Sequence, residues 1–188
     1  MMPTMLARYE REKLINAIVY FATNTRYCGK TKLFKLLYFL DFEHFRTIGR
    51  SVTGLDYFAW KMGPVPVALF EEIEMPERDL AEKVSIRSVP TLRGKDMALI
   101  EAKAPFDESH FTKRELRILE ALAIEYKDSF ADDMVEASHL ETLPWHQVFE
   151  IECRRQAKIP YQYGLRKGEE DMIKFIADEN QEVVDNYK

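Results

Sequence analysis

The chain has 188 residues, 46% apolar and 31% charged, with 27 basic against 32 acidic side chains. That composition excludes a disordered chain. The net charge of −5 argues against a general nucleic-acid binder, which neutralises phosphates with clustered cations.

The start, MMPTMLARYEREK, carries charges where a secretory leader has its apolar core. Residues 8–24 then follow the spacing of one buried helical face through Leu14, Ile15, Ile18, Phe21 and Ala22, with Glu10, Arg11, Glu12 and Lys13 at a wet start. Residues 31–48 predict a second helix, capped by Thr31 and ended by Gly49. Apolar residues wrap most of its circumference, which predicts the centre of the core. Lys32, Lys35, Glu43 and Arg46 recur as its narrow wet edge. Its run LFKLLYFL is eight residues long and contains a lysine, too short to span a bilayer.

Phe58, Trp60 and Met62 alternate against Tyr57 and Ala59, so residues 56–62 read as a strand covered on both faces. Gly63-Pro64 is expected to stop that strand, and Pro66 to open a helix carrying Val67, Phe70 and Ile73 inward. Residues 82–89 and 96–102 alternate around Pro90–Gly94, the pattern of an antiparallel hairpin. A lone hairpin is marginal, so it is expected to share a small sheet with residues 56–62. Thr112 and Glu115 form a capping box, and Phe111 and Leu116 a hydrophobic staple, at the head of a helix over 112–127. Its buried stripe is Leu116, Leu119, Leu122 and Tyr126. Short helices are expected from Ala131 to about Leu140, capped by Ser129, and from about Leu143 to Cys153, capped by Thr142. Residues 158–167 read as loop, and a last helix starts near Glu169.

Cys28 and Cys153 form no metal-type spacing, and with no leader the chain reads as cytoplasmic with reduced thiols. His44, His110, His139 and His146 form no HExxH or closely spaced pair. Cys28-Gly29-Lys30-Thr31 looks like the end of a phosphate loop, but Asn24 stands where that motif needs glycine. No cofactor, metal site or catalytic set is expected, and so no enzyme.

Three motifs together resemble one family. Lys32–Phe39, KLFKLLYF, is similar to the KLxKLLYF helix of the Panacea, or SocA-like, antitoxin domain. Phe58–Val65, FAWKMGPV, resembles its aW.yGPV segment, and Ser138-His139 with Pro144-Trp145 its Ser-His…Pro-Trp element. Phe70 stands where a tyrosine is common in the family, and His139 and Trp145 lie about one residue further apart than usual. The resemblance covers about residues 10–155 of one domain, with a helical extension over about 158–188. It implies the antitoxin of a bacterial or phage toxin–antitoxin module, neutralising a protein toxin encoded by an adjacent gene. The alternatives are an adaptor delivering the toxin to a cytosolic protease, a DNA-binding autorepressor, and a metal-dependent enzyme.

The expected fold is α+β, a helical core around residues 31–48 with a small antiparallel sheet. Trp60, Gly63, Pro64, His139 and Trp145 are read as structural, with Trp145 anchoring His139 by stacking or hydrogen bonding. Candidate partner-binding residues are Lys32, Lys35 and the Tyr38 hydroxyl on the wet edge, Arg93 in the hairpin loop, and Tyr161 and Tyr163.

Overall fold

Much of the described core is built around one helix. A computed structural model describes residues 5–91, 94, 96–140, 143–166, 168, 169 and 171. In it helix α2, Lys30–Ile48, touches α1 (Met5–Asn24), α5 (Lys113–Glu125), α6 (Ala131–Ser138) and strands of both sheets. Leu33, Leu36, Leu37, Tyr38 and Leu40 are all fully buried, as a helix apolar nearly all round requires. Gly49 ends it in the left-handed region, φ 70°, its N–H donating to Phe45 O. The residue before its first turn is Gly29, with no side-chain cap, so Thr31 is not the cap that its hydroxyl suggests.

Helix α1 buries more than one stripe. Ala17 and Val19 join Leu14, Ile15, Ile18 and Phe21 in the core, because α2, α5 and the sheet edge flank it on several sides. Its start is not simply wet. Lys13 is buried, and Arg11 forks onto Glu72 of α3 (Val67–Glu74) and Asp79 of α4 (Arg78–Lys83).

The α+β class holds, with the sheet split in two. Strand β1, Phe58–Trp60, does not end at Gly63-Pro64. It turns through Lys61-Met62 and returns as β2, Gly63–Val65, in register Phe58↔Val65 and Trp60↔Gly63. Gly63 sits at φ 96°, which permits the reversal. Tyr57 and Ala59 face the core; Met62 is exposed. The second hairpin, β3 (Val84–Pro90) with β4 (Asp96–Ala102), falls where the alternation predicts.

The two hairpins do not share a sheet. Each finds another partner along its edge. Ile100 N–H donates to Cys28 O in the α1–α2 turn (2.9 Å), and Gly29 bridges Leu99. Around β1, Ala59 N–H donates to Ala157 O (2.9 Å), and Gln156 and Ile159 N–H groups donate to Ala59 and Tyr57 carbonyls (2.8 Å each).

Helix α5 opens on the predicted capping box, Thr112 with Glu115. Helix α6 starts after Phe130, not Ser129; Asp133 accepts from the Phe130 N–H at 2.7 Å, so the acid inside the first turn does the capping. In place of one helix over 143–153 there is a single turn, α7 (Pro144–His146), widening into a π-helical turn over Gln147–Ile151. Trp145 stacks on Phe149 across that widened turn, centroids 4.7 Å apart. Thr142 and most of the helix expected from Glu169 lie outside the described residues.

Candidate functional site

The three sequence motifs meet at one internal junction. Lys35, from α2, donates its ammonium to the Pro64 carbonyl of β2 at 3.0 Å. Tyr38, one turn on, accepts from the Trp145 backbone N–H at 3.3 Å. The Trp145 indole N–H donates to the Trp60 carbonyl of β1 at 2.9 Å. His139 lies flat on the Trp145 ring, centroids 3.7 Å apart and planes 3° from parallel. Gly63 closes the group: a Cβ there would stand 2.6 Å from Ser138 Oγ and 2.7 Å from Lys35 Cε.

Burial governs the chemistry here. Lys35 is 1% exposed, and desolvation pulls its ammonium down to about 7. His139 is held below the usual imidazole range by burial and then by the nearby Lys35 charge; its Nε2 is buried without a hydrogen-bond partner among the described residues. The cluster joins α2, the β1–β2 hairpin and the α6–α7 connection. Lys35, Tyr38, Ser138 and Trp145 all lie beneath the surface.

Two further buried polar clusters brace α2. Asp41, fully buried, accepts from the Val52 and Thr53 N–H groups (2.8 Å each), the Thr53 hydroxyl and the Tyr57 hydroxyl (2.7 Å). Burial pushes its carboxyl up to about 6 against those donors. Glu115 pairs with Lys13 at 2.5 Å while capping its own helix, with His44 Nε2 3.8 Å away. His44 Nδ1 lies 2.7 Å from the Arg50 carbonyl, so that nitrogen carries the hydrogen.

The wet-edge candidates need correction. Lys32 is 1% exposed, and its ammonium donates to the carbonyls of Arg26 (2.8 Å), Ser129 (2.9 Å) and Lys127 (3.2 Å). With Lys35 and Tyr38 also internal, none of the three is presented to a partner. The turns before α2 and after α5 come close enough to supply acceptors, which outcompete water. Tyr161 is also a docking residue: its hydroxyl donates to Leu55 O, and its ring stacks between Phe42 (4.5 Å) and Phe45 (5.2 Å). Tyr163 is 39% exposed, and the Glu152 carboxylate raises its hydroxyl above the usual range. Arg93 lies outside the described residues.

The family model described as antitoxin SocA-like, Panacea domain, matches residues 33–146. The chain belongs to that family. No curated protein and no solved structure matches it. The matched span of the Panacea domain runs from the second residue of the KLxKLLYF motif to the residue after Trp145, so it encloses nearly all three motifs and their junction. Helix α1 lies before it, yet supplies much of the core.

Two further features of this Panacea domain lie at the surface. Tyr27, at φ 54°, stacks on Phe130 with centroids 4.9 Å apart, and both rings are more than half exposed. A groove of about 980 Å³ runs between α2, α5, the α6–α7 connection and the 161–164 turn, with Phe39, Ile118, Leu122 and Leu143 among its walls. The packing of α2 beside α5 brings Arg46, Arg114 and Arg117 to this groove, together with Glu43 and Glu125. Among the described residues, no group of His, Cys, Asp or Glu is arranged to hold a metal, and no helix is long and apolar enough to cross a membrane.

Proposed function

We propose that the chain is the antitoxin of a toxin–antitoxin pair, neutralising a cognate protein toxin in the cytoplasm by direct stoichiometric binding, not by catalysis. The observation that carries this reading is the family match over residues 33–146, whose description is that of an antitoxin. The internal position of the motif residues supports it: Lys35, Tyr38, Gly63 and Trp145 stabilise a scaffold, and the exposed surface is left to choose the partner.

The test is expression of the adjacent gene under a titratable promoter, alone and with this chain, followed by affinity purification. Growth arrest by the neighbour, relief by this chain and co-purification at fixed stoichiometry are the expected results. Relief with falling toxin levels and no stable complex identifies a proteolytic adaptor instead. A neighbour without effect on growth removes the support for the antitoxin reading.

A further inference from the structure

We infer, on the antitoxin reading, that the toxin docks at the free edge of β3 by adding an extended strand of its own to the β3–β4 hairpin. Ile100 of β4 donates its N–H to Cys28 O at 2.9 Å, so its main-chain groups point away from β3. Its register partner Ile86 therefore turns its own N–H and C=O outward, off the hairpin. So do Val84 and Ser88, two residues to either side. The Val84 N–H is taken by Leu80 O of α4. Ile86 and Ser88 have no backbone partner on that side among the described residues. Ser88 is exposed and Ile86 half-buried. Pro90, which has no N–H, closes the row.

N–H and C=O groups alternating at a two-residue repeat are matched in series by another extended backbone. Beside them a cleft of about 500 Å³ opens between the Ile86–Ser88 face of β3 and the α3–α4 corner, walled by Ile73, Pro76, Ala81 and Ala98. Glu74, also on its wall, is engaged by Lys30 at 2.8 Å. Side chains of the added strand that face this cleft are apolar. On the other face Arg87 is exposed and holds Glu101 on its β4 side at 2.6 Å. An acidic residue of the toxin strand opposite Arg87 completes a cross-strand charge pair. A second copy of β3 fits less well. The register pairing Ile86 with Ser88 sets Arg87 opposite Arg87, and the register centred on Ile86 meets the Val84 N–H already given to Leu80.

The test mixes the full chain with the product of the adjacent gene and reads hydrogen exchange. In the complex the Ile86 and Ser88 amides are expected to exchange about tenfold slower than in the free chain, with Arg87, whose amide faces β4, changing less. Ser88→Pro deletes one outward N–H and leaves the β3–β4 ladder intact, and it should weaken binding about tenfold. Ser88→Ala keeps the N–H and lacks the hydroxyl; a loss as large as that of proline overturns the backbone contact. Should the proline variant unfold by circular dichroism, amide protection in the wild-type complex decides alone. Binding indifferent to Ser88→Pro, or Ile86 and Ser88 amides that exchange in the complex as in the free chain, overturns the inference and leaves the antitoxin reading standing. A neighbour that does not bind the wild type overturns both. Protection of these amides that grows with concentration of the free chain also overturns the inference, assigning the edge to a second copy.

Discussion

Lys32 shows how a single residue can be charged and internal at once. Its three N–H donors meet three carbonyls, from Arg26, Lys127 and Ser129, and so tie the turn before α2 to the loop after α5. Lys32→Met keeps the stem and removes the donors, stranding the acceptors. It should cost about 3 kcal/mol, read as a lower urea midpoint with unchanged slope. In the sequence a lysine at helical spacing marks solvent, and nothing local announces acceptors from a loop about a hundred residues away. Asp41 makes a second residue-scale prediction, of pH dependence. Its folded carboxyl titrates at about 6, above the ordinary value near 4. The folded chain therefore holds a proton that the unfolded chain has released between those values. The stability this group contributes is fully present below about pH 4 and is lost as pH rises through about 6. Asp41→Asn, whose amide can meet the Thr53 and Tyr57 hydroxyls as acceptors, should flatten the pH dependence of Tm across that window.

Elements were legible where their signals are local. The capping box of α5 lies within four residues, and the structure forms it as the sequence predicts. Glu115 nevertheless does two things, and the second was hidden because Lys13 is remote in sequence. Thr112→Ala should cost about 1 kcal/mol, the loss of one cap. Glu115→Ala should cost about 3–5 kcal/mol, since it also leaves Lys13 buried and unpaired. Equal losses in denaturant unfolding would refute the separate contribution of the ion pair. The β1–β2 hairpin was misread as a strand and a stop, because a proline inside a strand usually marks an end. Here Pro64 sits within a three-residue strand, and its carbonyl serves Lys35. Gly63→Ala would set a methyl against Ser138 and Lys35 at a positive φ. A loss of about 3 kcal/mol is expected, with Trp145 fluorescence reporting the displaced stack.

Over the whole molecule, one contact of the junction between the three motifs was legible in the sequence. The stacking of His139 and Trp145 follows from their pairing in the sequence, whereas the meeting of Lys35, Gly63 and Ser138 required the fold. The edge partners of the hairpins were not foreseeable, because alternation sets which face is buried and says nothing about which distant segment completes the ladder. A chain cut after Arg155 would lose the backbone bonds to Tyr57 and Ala59 and the buried Ile159. It should melt without a cooperative transition by circular dichroism.

That ladder also sets a clock. Tyr57 and Ala59 leave the ribosome about a hundred residues before Ile159, roughly 5–20 s of synthesis. During that interval the nascent hairpin has an open edge, exposed to any β-strand that reaches it first. The native edge of β1 is therefore completed only after residues 156–159 have been made.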